Sequence, residues 1–156
     1  MKVLAGVLVA GMLTIGIGVQ AEEKITSAEA LVKSMVRADM TYRQLMESMG
    51  SSLSQISLGI LSENKQLVER GTNYLLTHPA PRHNPWSIMP EEDQAGFKQA
   101  LVTYDIVLED YSIQIAEAAK QDQWLQANQH LNDLNTACIS CHMAWRDKAL
   151  TRAVME

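Results

Sequence analysis

Apolar residues recur three and four positions apart along most of the chain, which is the period of an amphipathic α-helix. Thr26 and Glu29 form a capping-box pattern at the start of the first such stripe. The pattern predicts a first helix from about residue 27 to about residue 60. Its stripe consists of Leu31, Met35, Ala38, Tyr42, Leu45, Met49, Leu53, Ile56 and Ile60.

A shorter helical pattern follows, in which Ser62 is a candidate N-cap and Gly71 is small enough to permit a close approach between helices. All four prolines then fall within the stretch HPAPRHNPWSIMP, residues 78–90. Because proline lacks a backbone N–H and fixes φ, this stretch predicts a loop. Its two histidines, His78 and His83, are expected to be solvated or capping groups, with a ligand contact as the less favoured alternative.

Two more stripes follow the loop, the first beginning near Pro90 and the second near Asp122, a candidate N-cap. The stripes are Phe97, Leu101, Tyr104, Leu108, Tyr111, Ile115 and Ala118, then Leu131, Leu134, Cys138, Cys141 and Trp145. No stretch alternates apolar and polar residues long enough to predict a strand. The chain is therefore expected to be all-α, as an antiparallel four-helix bundle.

The first 21 residues have the pattern of a secretory signal peptide. Lys2 precedes a long apolar run that ends in a small-x-small pattern at Ala21. A membrane anchor is the less favoured alternative, because the run is short and contains four glycines. We expect one domain over residues 22–156, exported to a periplasm and free of the membrane after cleavage.

Charge excludes one class of partner. Without Lys2 the chain has 12 basic residues, scattered rather than clustered, against 18 acidic residues. Nucleic acid is therefore not an expected partner.

Both cysteines of the chain lie in the segment CISCH, residues 138–142. On a helix, Cys138, Cys141 and His142 share one face, because residues three and four apart are neighbours. Two thiols and an imidazole in this order are the attachment signature of a c-type haem. The segment predicts one covalent haem, attached through Cys138 and Cys141, with its iron ligated by His142.

Three other uses of Cys-x-x-Cys fit less well. A thioredoxin-like dithiol occurs near a βαβ pattern, which this sequence lacks. A disulfide between residues three apart on one helix has poor geometry. A structural zinc site would need further ligands near Cys138 and Cys141, and the remaining histidines lie elsewhere in the sequence.

With the bundle and the segment CISCHMAWR, residues 138–146, the chain resembles the cytochrome c-prime family, the class II c-type cytochromes. This family carries its motif on the last helix of an antiparallel four-helix bundle. The segment YRQLMESMG, residues 42–50, is similar to a second family element. The resemblance implies that His142 is the proximal ligand and that Arg146 lies near its imidazole. A solvated cation at the helix end is the alternative for Arg146.

The resemblance also implies that helix one covers the distal face of the haem. Alignment on Met49-Gly50 puts Tyr42 where low-spin members have a methionine ligand, although Arg43 lies one residue off the family spacing. Met46 is thus either a distal axial ligand or a lid over a vacant site, and Tyr42 and Met49 are expected haem contacts.

Two functions follow from these alternatives. A six-coordinate iron favours one-electron transfer with periplasmic redox proteins. A five-coordinate iron favours binding of nitric oxide or carbon monoxide, for scavenging or sensing. A peroxidase is less favoured, because helix one offers no distal histidine. Homodimers are common in the family, so a homodimer is an open option.

Overall fold

The structure, a computed structural model, describes residues 26–153 of the chain, with side chains through residue 149. Five α-helices fill most of this range: α1 (Ala28–Ser34), α2 (Tyr42–Leu61), α3 (Lys65–Thr77), α4 (Glu91–Lys120) and α5 (Trp124–Ala153). The predicted all-α fold is confirmed. The predicted signal peptide lies outside the described residues.

The last four helices form an antiparallel bundle in which α2 packs on α3, α3 on α4, α4 on α5 and α5 on α2. Glycines bring α2 and α3 close together. A methyl group added at Gly71 would lie 2.5 Å from Ile56 Cγ1, and one at Gly59 would lie 2.8 Å from Val68 Cγ2. The close approach predicted at Gly71 is therefore confirmed.

Tight turns at one end of the bundle connect α2 to α3 and α4 to α5. Glu63 and Asp122 adopt left-handed backbone conformations in these turns, with φ of 52° and 61°. Lys65 Nζ donates to Asp122 Oδ2 at 2.8 Å and to the Lys120 carbonyl oxygen at 2.9 Å. The two turns are thus tied to each other at this end of the bundle.

Three predicted N-caps are wrong. The cap of α1 is Ser27 rather than Thr26, since Ser27 Oγ accepts a hydrogen bond from the Ala30 amide at 3.1 Å. The other two residues lie in the tight turns. Ser62 terminates α2, and the cap of α3 is Asn64, whose Oδ1 accepts a hydrogen bond from the Leu67 amide at 3.1 Å. Asp122 lies within the second turn, and α5 begins at Trp124. The chain reverses direction in both turns, so Ser62 and Asp122 lie outside the helices that follow them.

The close-packed core fills the half of the bundle nearest the tight turns. Leu75 and Leu134 mark its inner limit, and both also line the cavity described below. The buried members of this core are Ile56, Ile60, Val68, Leu75, Ile115, Ala118, Ala119, Ala127, Leu131 and Leu134. In the described part of the chain, no helix combines the length and apolar character needed to cross a bilayer.

The single first helix predicted over residues 27–60 is wrong, because the chain leaves the helix between α1 and α2. We call residues 35–41 the strap. Thr41 ends the strap and starts α2 with its own capping box. The Gln44 amide donates to Thr41 Oγ1 at 3.2 Å, and the Thr41 amide donates to Gln44 Oε1 at 2.8 Å.

The strap pairs with the proline loop through backbone hydrogen bonds. The Ala38 amide donates to the Ala80 carbonyl at 3.0 Å, and the Ala80 amide donates to the Val36 carbonyl at 2.9 Å. The Arg82 amide donates to the Met40 carbonyl at 3.0 Å. These long-range bonds satisfy backbone groups that a continuous helix would have satisfied internally, which explains why the helix is interrupted.

Arg37 adds a side-chain latch to this pairing. Its guanidinium donates to the carbonyl oxygens of Pro81 and Arg82 at 3.0 and 3.1 Å, and to Asn84 Oδ1 at 2.7 Å. A planar guanidinium has five N–H donors in a fixed arrangement, so one side chain can hold several turns of a loop.

We therefore expect Arg37→Ala to loosen the strap without unfolding the bundle. Losing hydrogen bonds worth about 1 kcal/mol each should accelerate amide exchange at Ala38 and Ala80 by roughly tenfold or more. Hydrogen exchange followed by NMR measures this. The matched control is Arg82→Ala, because that side chain makes only an exposed ion pair with Asp39. Equal exchange rates in the two variants would contradict the latch.

Candidate functional site

The half of the bundle away from the tight turns contains a cavity of about 180 Å³ that is partly open to solvent. Its walls come from α1, α2, the end of α3, the proline loop, α4 and α5, and most of the lining side chains are apolar. A mostly apolar lining with a few polar groups is typical of pockets that hold cofactors and small ligands.

The α5 wall carries the predicted attachment motif. Cys138, Cys141 and His142 all line the cavity, so the structure brings the three predicted side chains to one surface. Both thiols are half-buried, and neither is in a disulfide. His142 is more exposed and also borders the cavity.

The α2 wall carries the residues predicted for the distal side. Tyr42, Met46 and Met49 line the same cavity and are partly buried. They are four and three positions apart, so they lie along one face of α2. Met46 and Met49 therefore both contact the cavity, and either as ligand or as lid Met46 would lie on this wall.

Arg146 is the predicted site residue that the structure does not bring to the cavity. It is not among the lining residues, and its exposed side chain donates from Nε to Asp147 Oδ1 at 3.1 Å. Arg146 is thus an exposed side chain of α5, and its proximity to the His142 imidazole stays a prediction.

The pKa values of the two thiols help to decide between the possible uses of Cys-x-x-Cys. Burial raises the pKa of Cys138, and burial together with the neighbouring Cys138 raises the pKa of Cys141. Reactive dithiols have lowered pKa values, because positive charge or a helix N-terminus stabilises the thiolate. These thiols have the opposite character, which argues against a thioredoxin-like role.

A bare metal ion also fits poorly. Within the described residues, no group of three or more histidine, cysteine and acidic side chains is arranged to hold a metal. Structural zinc needs about four such ligands around one point. The donor set instead suits a flat apolar group that accepts two thiols and one imidazole from one wall, and a haem has this chemistry.

An aromatic cluster closes the bundle beside the cavity. The Tyr42 ring meets the Phe97 ring edge-on at a centroid distance of 6.1 Å, and Phe97 packs against Trp145 at 5.4 Å. Burial raises the pKa of the Tyr42 phenol, and the nearby Cys141 thiol raises it further. Tyr42 therefore stays neutral between the α2 and α5 walls.

The sequence pattern missed one polar part of the wall. His78, Tyr104 and Asp105 line the cavity, and His78 Nε2 lies 3.8 Å from Asp105 Oδ1. His78 was expected to be a solvated loop residue. No local signal marks it, because its position depends on how the proline loop folds back over α4; His83, in the same loop, is exposed as expected.

The strap and α1 supply a further unpredicted wall. Leu31 and Val32 are buried, and with Met35 they line the cavity. The proline loop adds Pro79, Ala80, Pro81 and Pro85. The strap pairing therefore helps to close the cavity.

No protein-family model, curated protein or solved structure matches this chain with significance. The likeness to the cytochrome c-prime family therefore rests on residues of the chain itself, above all CISCHMAWR. Only the geometry and donor chemistry of the site support a functional conclusion.

The raised pKa of Tyr42 predicts a pH dependence of stability. An unfolded tyrosine ionises near pH 10, whereas the folded state holds the proton to higher pH, so stability should fall as pH rises above about 10. We expect wild type to lose up to about 1.4 kcal/mol per pH unit more than Tyr42→Phe in that range. Denaturant unfolding at several pH values measures this. The difference in unfolding free energy between the two proteins below about pH 8 is the baseline. Equal slopes of unfolding free energy against pH above about pH 10 would contradict the prediction.

Proposed function

We propose that this chain is a c-type cytochrome that holds one haem in the cavity and carries single electrons. Cys138 and Cys141 attach the haem covalently, and His142 is the proximal ligand of its iron. The observation that carries the proposal is the meeting of these three donors at one apolar cavity.

A bound haem supplies an iron that cycles between two oxidation states. The residues of the chain fix its position and environment. Cys138 and Cys141 would hold the haem through thioether links, and the imidazole of His142 would ligate its iron. Apolar walls limit water and charge near the iron, which are two of the factors that tune its potential.

A rigid helical scaffold favours electron transfer. Four helices and the latched strap hold the walls, so a change of iron charge requires little movement of protein groups. Arg43, Gln44 and Glu47 of α2 are exposed and do not line the cavity. These three residues are thus badly placed to assist peroxide chemistry in the cavity.

The α2 wall supports a second candidate function, the binding of nitric oxide or carbon monoxide. Met46, Met49 and Leu53 line the cavity from α2 without a charged group among them. Such a wall accepts a small uncharged gas if no side chain ligates the iron. The choice between the two functions depends on whether Met46 is a ligand.

The expected partners are periplasmic redox proteins, which meet a carrier through small transient interfaces. Export would follow from the predicted signal peptide at residues 1–21. A homodimer remains an open option.

Covalent attachment is tested by mass. Full-length wild type, expressed with bacterial haem-attachment machinery, should yield a chain heavier by one iron protoporphyrin. The double variant Cys138→Ser with Cys141→Ser should lose this added mass completely, because no thioether can form. Ser140→Ala is the matched control, since it lies between the cysteines, is exposed and keeps their spacing. An unmodified wild-type mass would refute the proposal.

Ligation by Met46 is tested by spectroscopy. If Met46 binds the iron, oxidised wild type shows the near-infrared methionine-to-iron band, and Met46→Ala loses it. Met49→Ala should keep the band, because it removes a methionine from the same wall without removing the ligand. Absence of the band in wild type, together with nitric oxide binding, would favour the gas-binding function instead.

A further inference from the structure

Basic side chains are scarce at the cavity wall. Among the described residues that line it, His78 and His142 are the basic ones, and the lining includes no lysine or arginine. If His142 ligates the iron, His78 is the basic residue of the lining that remains to contact an acidic group of the bound haem.

The imidazole of His78 is largely buried, but its hydrogen-bonding capacity is not fully used. Its side chain is only 10% exposed, and its Nδ1 lies 3.3 Å from the Pro79 carbonyl oxygen. Its Nε2 lies 3.8 Å from Asp105 Oδ1, which is too far for a hydrogen bond. Nε2 of this nine-tenths-buried side chain therefore has hydrogen-bonding capacity that the described neighbours leave unused.

A haem brings the complementary group. It is an apolar macrocycle with two carboxylate side chains on one edge, and burying a carboxylate without a partner is costly. We infer that His78 Nε2 donates a hydrogen bond to one haem carboxylate, so that His78 and Asp105 form the polar end of the site. This inference rests on the proposed function.

Asp105 and Pro79 act as positioning residues for the ring. The Pro79 carbonyl oxygen lies 3.3 Å from Nδ1, so the loop backbone adjoins this nitrogen and leaves Nε2 for the ligand. The carboxylate oxygen Oδ1 of Asp105 on α4 lies 3.8 Å from Nε2, so Asp105 flanks that nitrogen from one side. Tyr104, the neighbour of Asp105, also lines this part of the cavity.

The test uses the holoprotein, in which thioether bonds retain the haem whatever residue stands at position 78. His78→Phe keeps a flat ring and removes the donor, and His78→Gln keeps a donor. His83→Phe is the matched control, because His83 is an exposed histidine of the same loop and does not line the cavity. Resonance Raman spectra report the carboxylate bending mode, and electrochemistry reports the reduction potential.

We expect His78→Phe to shift the carboxylate mode and to lower the potential, because losing a donor near the haem favours the more positive oxidised iron. His78→Gln should restore most of both values, and His83→Phe should change neither. If His78→Phe matches His83→Phe in both measurements while the chain carries haem, the inference falls and the proposed function stands. A wild-type chain without haem overturns both.

A direct measurement avoids dependence on the variants. In reduced wild-type holoprotein, the His78 ring protons should show nuclear Overhauser effects to the methylene protons of a haem carboxylate side chain. Effects to other haem positions alone would overturn the inference, even if His78→Phe fails to fold.

Discussion

The structure depends on close helix packing at one end of a helical bundle. Near the tight turns, Gly59, Gly71 and small alanines such as Ala118 let the helices approach and fill the interior. Toward the other end, the helices enclose a cavity whose lining includes Tyr42 and Tyr104. The close-packed half supplies the rigidity that holds the walls of the other half at a fixed separation.

The predicted attachment motif depends on its position in the bundle. Cys138, Cys141 and His142 occupy one face of α5 because of helical periodicity, and bundle packing turns that face toward the apolar cavity. Burial then raises the pKa of both thiols, which disfavours thiolate chemistry. Motif, helix and cavity together support a haem protein more strongly than the motif alone.

The strap is where the chain departs from a simple four-helix design. A continuous first helix would leave the proline loop without a backbone partner, whereas the strap gives Ala80 two hydrogen bonds and lets Arg37 hold three further acceptors. This pairing places α1 and the loop over the cavity. It also carries His78 to Asp105, so one long-range contact organises both the closure and the polar end of the site.

The sequence alone determined whatever depends on neighbours along the chain. Helical period predicted the bundle, the prolines predicted the loop, and spacing put Tyr42, Met46 and Met49 on one face and the attachment residues on another. Tertiary structure decided the rest, because those features depend on contacts between distant parts of the chain. The break at residues 35–41 follows from pairing with the proline loop, and the entry of His78 into the cavity wall follows from how that loop packs near Asp105 of α4.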